Sequence, residues 1–384
     1  MTDLLRQEIA ATADLVVVKV GTRVLTHPDG TLDNERISRL AEEIHLVSEM
    51  GKTVVLVSSG AVGAGMSQMG LRQRPNDLAK LQAIAAIGQT HLIETYDRTF
   101  RKYGHRAAQV LLIADDFDDR TRYLNVRNTL LSLIEFGAIP IINENDTVSV
   151  EELQTTFGDN DRLAAMVTNL LRAPLLIILS DVDGLYDGDP ADESSKLISV
   201  VDKIDDDILS VVQKQAVGLS KGGMGSKLQA ARIVTVAGEN AIIASGSKPG
   251  ILTAILRGEE VGTLLLAQGK AVSPRKRWIA FSARPQGAIR LDAGAHRAVS
   301  DQGRSLLAIG IAKVEGEFVK GDVLSLLDPD GNEFARGLTN YSSAEVRRVQ
   351  GVRSEKIAEV LGQRPYEEVI HRNNLALLID GNSS

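Results

Sequence analysis

Short aliphatic runs alternate along the first two thirds of the chain with longer segments in which apolar residues recur every three or four positions. The short runs, several of them rich in β-branched residues, predict buried strands, and the longer segments predict amphipathic helices. Strands are predicted at residues 15–20, 53–57, 107–113, from 138 onward, 175–179, 241–244 and 262–266. Helices are predicted at residues 33–50, 77–103, 122–136 and 251–256, and after residues 159 and 227. This alternation predicts an α/β fold in which helices sandwich a mainly parallel sheet.

The pattern changes after residue 268. Residues 269–277 contain Ser273-Pro274 and three consecutive cations, which is typical of a linker. Beyond them, short apolar runs at 288–291, 306–314 and 322–327 are separated by Gly, Asp and Pro, which predicts a small β-rich domain. The predicted organisation is a first domain at 1–268, a linker at 269–283 and a second domain at 284–384.

Polar clusters stand where predicted elements meet. Asn-Glu-Asn-Asp at 143–146 ends one predicted strand, and Gly-Asp-Asn-Asp follows at 158–161. Asp159 can cap the next helix, which places Asn160 and Asp161 in its first turn. Ligands of parallel sheets lie beyond the carboxyl ends of the strands, so both clusters are expected to face one crevice. Either cluster alone is more typical of an ordinary turn or cap than of a binding site.

A strand end beside a helix N-terminus suits an anion, because the helix end offers unpaired N–H groups and partial positive charge. Amides and carboxylates in the same crevice could also hold an amino acid by its ammonium and carboxylate groups. Lys19 adds an ammonium group inside the first predicted strand. A buried ammonium is unfavourable unless an anion meets it. The alternative is that Lys19 extends into solvent from the strand end.

Two glycine-rich segments offer further binding elements. Residues 58–65 follow the second predicted strand, and their small side chains would let the backbone approach a ligand closely. Residues 218–227 precede a predicted helix and combine glycines with Lys221 and Lys227, which suits phosphate. Neither segment has Walker A spacing, and no dinucleotide-binding glycine pattern follows the first strand. The second segment is also compatible with a linker whose lysines are solvated.

Composition and charge exclude several kinds of site. The 384 residues include no cysteine, which excludes disulfides, thiolate zinc sites and thiol nucleophiles, and the six histidines are scattered singly. The formal net charge is −7; residues from Ser273 onward contribute +2, so residues 1–272 carry −9. An acidic first domain argues against nucleic acid as its main partner.

Residues 1–14 lack a signal-peptide core, and the longest purely aliphatic run, 175–179, is too short to span a bilayer. We therefore expect a cytoplasmic protein.

Taken in this order, the motifs resemble the amino acid kinase family over nearly the whole chain. The matching segments are Val18-Lys19-Val20-Gly21-Thr22, Ser58-Ser59-Gly60-Ala61 with Gly63 and Gly65, Ile142-Asn143-Glu144-Asn145-Asp146, Gly158-Asp159-Asn160-Asp161, Ser180-Asp181-Val182-Asp183-Gly184-Leu185-Tyr186, Gly222-Gly223-Met224-Gly225-Ser226-Lys227, Ala244-Ser245-Gly246-Ser247-Lys248-Pro249-Gly250 and Arg275-Lys276-Arg277-Trp278-Ile279. The C-terminal part resembles a PUA domain, through residues 316–323 and 335–342.

This resemblance implies transfer of the γ-phosphoryl group of ATP to the side-chain carboxylate of L-glutamate, the first step of proline synthesis, with Mg²⁺ bound alongside ATP. It assigns phosphate contacts to Lys19 and Lys227, and it assigns the positioning of both lysines to Asp161. The residues implied to bind glutamate are Ser59, Asp146 and Asn160. The residues implied to bind nucleotide are Lys19, Ser180, Asp181, Lys221, Gly222, Gly223, Met224, Gly225, Ser226 and Lys227. Small or hydroxyl residues are common in the family at position 221, so whether Lys221 contacts phosphate stays open.

The resemblance also implies feedback inhibition by proline and a homo-oligomer. Because an acyl phosphate is labile, it further implies a γ-glutamyl phosphate reductase (glutamate-5-semialdehyde dehydrogenase) as a partner. PUA domains often bind RNA, but the near-balanced charge and few aromatic residues here give no ground for it. Two alternatives remain open: another family activity, on N-acetylglutamate or aspartate, and an RNA-binding or regulatory protein that keeps the kinase fold as a scaffold.

Overall fold

The computed structural model describes residues 3–27, 29–148, 159–190, 192, 194–205, 208, 223–268, 273–362 and 366–378. The chain forms two compact units, each with its own hydrophobic core. The first unit comprises Met1–Asp116 and Arg120–Ala271, and the second comprises Phe117–Asp119 and Val272–Ser384. Among the described residues, no helix is both long enough and apolar enough to cross a membrane.

The first unit is built on an eight-stranded sheet with the strand order β3-β4-β2-β1-β5-β7-β8-β6. Its strands are β1 (Leu15–Val20), β2 (Thr53–Ser58), β3 (Arg106–Leu112), β4 (Ala138–Glu144), β5 (Leu175–Ser180), β6 (Val200–Val201), β7 (Asn240–Ser245) and β8 (Thr263–Leu265). Neighbouring strands run parallel except for β7 and β8, which are antiparallel. The prediction of a mainly parallel sheet is therefore confirmed.

Helices lie along both faces of this sheet. The described helices are α1 (Leu4–Thr12), α2 (Thr22–Leu25), α3 (Asn34–Glu49), α4 (Ala61–Gln68), α5 (Leu78–Phe100), α6 (Asp115–Asp118), α7 (Arg120–Glu135), α8 (Asp159–Leu171), α9 (Met224–Val236) and α10 (Ile251–Leu256). Alternate residues of β1 point to opposite faces. Val16, Val18 and Val20 join the core formed with α3, α5 and α10. The side chain of Lys19 lies on the other face, toward α8.

Residues 58–65 include the start of a helix, which their glycine content did not indicate. Gly60 has a φ of 107°, in the left-handed region that favours glycine, and α4 begins at the next residue. A Cβ atom on Gly65 would lie 1.9 Å from the Ile84 carbonyl oxygen, and one on Gly88 would lie 1.8 Å from the Ala61 carbonyl oxygen. Gly65 in α4 and Gly88 in α5 therefore allow the two helices to pack backbone against backbone.

The second unit contains a five-stranded sheet with the order β10-β9-β11-β12-β13. Its strands are β9 (Gly287–Leu291), β10 (Ile311–Glu315), β11 (Val323–Leu327), β12 (Glu333–Leu338) and β13 (Leu375–Leu377), and its described helices are α11 (Pro274–Arg277), α12 (Ala293–Ser300), α13 (Ser343–Val349) and α14 (Ile357–Leu361). Within the segment predicted as a linker, α11 is followed by a π-helical turn at Trp278–Ser282. The Trp278 side chain is buried, and its Nε1–H donates to the Phe117 carbonyl oxygen at 2.8 Å.

Candidate active site

Lys19 lies in the central strand β1, between β2 and β5. Its exposure is 5%, and its Nζ lies 2.7 Å from Oδ1 of Asp161. The ammonium group is thus buried and paired, and the alternative in which Lys19 extends into solvent is wrong. The carboxylate that meets Lys19 belongs to Asp161, in the first turn of α8, and the family resemblance implied this pairing.

Asp161 connects three groups through its two carboxylate oxygens. Oδ1 faces Lys19, while Oδ2 accepts a hydrogen bond from Ser226 Oγ at 2.7 Å and lies 3.8 Å from Lys227 Nζ. Burial alone would raise the pKa of Asp161, but the positive charges of Lys19 and Lys227 and the hydrogen bonds outweigh it and hold this pKa below its ordinary value. Asp161 is therefore ionised at neutral pH.

Lys227 reaches this carboxylate from the first turn of α9, and its side chain is also buried. Burial lowers the pKa of Lys227, and the charge of Lys19 acts in the same direction against the opposing effect of Asp161. Two buried ammonium groups thus converge on one carboxylate. A phosphate group is an anion that such a pair of cations can bind through charge-assisted hydrogen bonds.

A second polar group lies beside this ion cluster. The Nδ2 group of Asn160 donates to Ser59 Oγ at 3.0 Å and to Asn143 Oδ1 at 3.1 Å. Ser59 directly follows β2, Asn143 belongs to β4, and Asn160 precedes Asp161 in α8. These contacts bring Asn143 and Asn160, one residue from each polar cluster, together at one end of the sheet; that the clusters face a ligand crevice stays a prediction. Asp146 is also buried and lies in the turn after β4, at the same end of the sheet.

Ser180 and Asp181 mark the end of β5. Ser180 Oγ donates to Asp181 Oδ1 at 3.0 Å, and Arg23 Nη1 donates to Asp181 Oδ2 at 2.8 Å. Burial raises the pKa of Asp181, but the hydrogen bonds from Arg23 and Ser180 outweigh this and lower it. The charges of Asp181 and Arg23 also act on the pKa of Lys227, so this group lies within electrostatic range of the ion cluster.

The glycine-rich segment before α9 is described only at its end. Gly223 precedes the helix, and Met224, Gly225, Ser226 and Lys227 form its start, so part of the expected loop is helical. Gly223 provides no side chain to cap the first turn. Lys221 and Gly222 lie outside the described residues, and the contact of Lys221 with phosphate stays a prediction.

Two residues of this site, Gln89 and Arg23, were not predicted from the sequence. Gln89 accepts a hydrogen bond from Asn143 Nδ2 at 2.8 Å, and Arg23 binds Asp181 as described above. Asn143 belongs to the motif at 143–146, but the sequence assigned it no role of its own in binding. Gln89 lies in an amphipathic helix with no motif around it. Only the tertiary contacts distinguish Gln89 from other polar helix residues.

No group of three or more His, Asp or Glu side chains suited to a metal ion occurs in the described part of the chain.

Comparison with known proteins agrees with this geometry. The model of the amino acid kinase family matches residues 14–245, and that of the PUA domain matches residues 287–361. The glutamate 5-kinase of Rhodopirellula baltica is 51% identical over 375 residues, which cover 98% of this chain and 96% of that protein. The glutamate 5-kinase of Caldanaerobacter subterraneus subsp. tengcongensis is 46% identical over 367 residues, 95% of this chain and 98% of that protein. The chain therefore belongs to the amino acid kinase family and, within it, to the glutamate 5-kinases.

Proposed function

We propose that the chain transfers the γ-phosphoryl group of ATP to the side-chain carboxylate of L-glutamate, giving L-glutamyl 5-phosphate and ADP. The observation that carries this proposal is the convergence of two buried ammonium groups, Lys19 and Lys227, on Asp161. The hydrogen-bonded pair of Asn160 and Ser59 adjoins them. Cations for a phosphoryl group and polar side chains for an amino acid thus occupy one end of one sheet.

The reaction needs no general base from the protein. The glutamate side chain is already ionised at neutral pH and can act directly as the nucleophile. What opposes the reaction is the approach of two anions and the charge that spreads over the phosphoryl group in flight. Lys19 and Lys227 offset this charge from fixed positions, and Asp161 keeps both ammonium groups in place before the nucleotide binds.

The substrates divide between two groups of residues. Ser59, Asp146 and Asn160 bind glutamate, with the Asp146 carboxylate suited to the substrate ammonium group. The residues proposed to bind nucleotide are Lys19, Ser180, Asp181 and residues 221–227. Mg²⁺ would be held mainly through phosphate oxygens, and it would neutralise phosphate charge.

The deciding assay is glutamate-dependent release of ADP, with hydroxylamine added to trap the acyl phosphate as a hydroxamate. With L-glutamate as the substrate, we expect ADP and hydroxamate to form together. With L-aspartate or N-acetylglutamate, both products should form far more slowly. Release of ADP without hydroxamate would contradict transfer to a carboxylate. Faster turnover of N-acetylglutamate or aspartate would assign a different family activity to the chain.

We also propose that proline inhibits the enzyme at the glutamate site. Proline resembles a cyclised glutamate and keeps the ammonium and carboxylate groups that residues 145–161 would recognise. Proline should therefore raise the KM for glutamate with little change in kcat. Inhibition that lowers kcat alone would contradict a shared site.

The product suggests a partner, because an acyl phosphate hydrolyses readily in water. We propose direct transfer to a γ-glutamyl phosphate reductase, glutamate-5-semialdehyde dehydrogenase. Adding that enzyme should reduce the hydrolytic loss of product below the value expected for free diffusion.

We further propose a cytoplasmic homo-oligomer. Light scattering of the purified protein would test its oligomeric state.

A further inference from the structure

The amide groups around Asn160 form a hydrogen-bonded chain whose direction is fixed by one backbone group. Asn143 Oδ1 accepts from the backbone N–H of Glu144 at 2.9 Å, and a backbone N–H can only donate. The atom of Asn143 at this position must therefore be its oxygen, and the other side-chain atom must be Nδ2. Since Oδ1 also accepts from Asn160, the amide orientation of Asn160 follows from that of Asn143.

Gln89 closes this chain from helix α5. Its Oε1 accepts a hydrogen bond from Asn143 Nδ2 at 2.8 Å, so the Nε2 group of Gln89 is not the atom that meets Asn143. Gln89 is only 9% exposed, and its Nε2 has no hydrogen-bond partner among the described residues. A buried donor without an acceptor is unfavourable, whereas the hydrogen bond at Gln89 Oε1 satisfies the buried amide of Asn143. The glutamine is therefore explained by its bond to Asn143 and not by apolar packing.

We propose that Gln89 is a positioning residue for the glutamate site, an inference that rests on the proposed function. By accepting from Asn143, Gln89 prevents the Asn143 amide from rotating. Asn143 in turn directs Asn160 toward Ser59. In the proposed reaction, Asn160 and Ser59 bind glutamate. Gln89 thus acts on the substrate through two intervening amides, those of Asn143 and Asn160.

Two substitutions separate this role from packing. Gln89→Met keeps the length of the side chain but removes the acceptor, so Asn143 loses its restraint. We expect the KM for glutamate to rise about five- to tenfold, the scale of one hydrogen bond, while kcat and the KM for ATP change less than about twofold. Gln89→Glu keeps an oxygen that accepts from Asn143, and we expect its KM for glutamate to stay within about threefold of the wild-type value.

The thermal midpoint of each variant is measured beside its kinetics, with Thr90→Val, an exposed neighbour on the same helix, as the control. A purely structural role for Gln89 predicts a lower midpoint in Gln89→Met with an unchanged KM for glutamate, and this result would overturn the proposal. An equal rise of KM in Gln89→Met and Gln89→Glu would overturn it as well. Absence of glutamate phosphorylation in the wild-type protein would instead reject the proposed function.

A double substitution tests the route of the effect. In an Asn143→Leu background the link between Gln89 and Asn160 is already broken, so adding Gln89→Met should change the KM for glutamate no further. Additive effects of the two substitutions would show that Gln89 reaches the substrate by another path and would contradict the proposed chain.

Discussion

At the scale of single residues, the site depends on one carboxylate that serves two ammonium groups. Asp161 holds Lys19 and Lys227, which come from elements more than 200 positions apart in the sequence. Buried ion pairs contribute little to net stability, because desolvation offsets the attraction between the charges. We propose that the arrangement prepares the site for a phosphoryl group, which would take over the pairing of both lysines when ATP binds.

Lys227→Ala tests this interpretation directly. We expect kcat to fall by about 10²- to 10³-fold, the scale observed when one preorganised donor is lost from an active site. Lys52→Ala is the matched control, since Lys52 precedes β2 at the opposite end of the strand from Ser59. Steady-state assays should show near-normal kcat for the control. A near-normal kcat for Lys227→Ala would reject its catalytic role.

The pKa of Asp161 predicts how stability depends on pH. Because this pKa lies below its ordinary value in the folded protein, the ionised carboxylate stabilises the fold above the ordinary pKa of about 4. This contribution is lost as the pH falls through the lower, folded-state pKa. Urea unfolding across the acid range should therefore show a steeper loss of unfolding free energy for the wild type than for Asp161→Asn. Parallel curves for the two proteins would contradict the lowered pKa.

Residue-level prediction from the sequence succeeded where a residue type was anomalous in its context. Lys19 stood out as a cation in an apolar strand, which indicated either an anionic partner or extension into solvent, and the family resemblance pointed to Asp161 as the partner. Gln89 and Arg23 gave no such signal, because polar residues are ordinary on a helix or after a strand. Their contacts arise from pairs of residues far apart in the chain, which periodicity does not encode. The roles of all these side chains in binding and catalysis stay predictions.

At the scale of elements, the contact between α4 and α5 joins two parts of the proposed glutamate site, since Ser59 lies just before α4 and Gln89 lies in α5. The contact brings Gly65 and Gly88 against backbone atoms of the facing helix, and Gln89 follows Gly88 directly. Gly88→Ala would place its Cβ 1.8 Å from a carbonyl oxygen, so the helices must separate. We expect a loss of about 3 kcal/mol in the free energy of unfolding, measured by urea denaturation.

Gly294→Ala is the control for helix propensity. Gly294 lies in α12, where an added Cβ would meet only the Asp292 carboxylate, at 3.3 Å. The free energy of unfolding should change by no more than about 1 kcal/mol there. A small effect at Gly88 as well would show that α4 and α5 can move apart without penalty.

Elements with strong periodicity were predicted within a few residues, as β1, α3 and α10 illustrate. Strand direction was not predictable for β8, because an apolar run carries no record of its orientation relative to β7. The start of α4 was missed for a different reason. Glycine lowers helix propensity, but here the packing of α4 on α5 requires it, and tertiary structure overrides the local preference.

At the scale of the whole molecule, charge is distributed unevenly between the two parts of the chain. Residues 1–272 carry a net charge of −9 and the remainder +2. Non-specific RNA binding depends on neutralising phosphates with clustered cations. We therefore expect the full-length protein to bind a labelled random RNA no more tightly than about 10⁻⁴ M at physiological salt, as measured by fluorescence anisotropy. Micromolar, salt-sensitive binding would contradict this and assign RNA recognition to the protein.

The division into two units was anticipated from the change in composition, while the limits at residues 268 and 284 stay a prediction. Composition could not indicate that Phe117–Asp119, from the middle of the first predicted domain, belong to the second unit. Such an assignment depends on three-dimensional proximity alone.

The buried Trp278 has a practical consequence. It is the one tryptophan of the chain, and it belongs to the second unit. Selective excitation of its indole ring therefore yields an emission spectrum that originates from a single known position. A stopped-flow experiment that follows this emission during turnover can report on the second unit without an attached dye, while ADP release reports on the first.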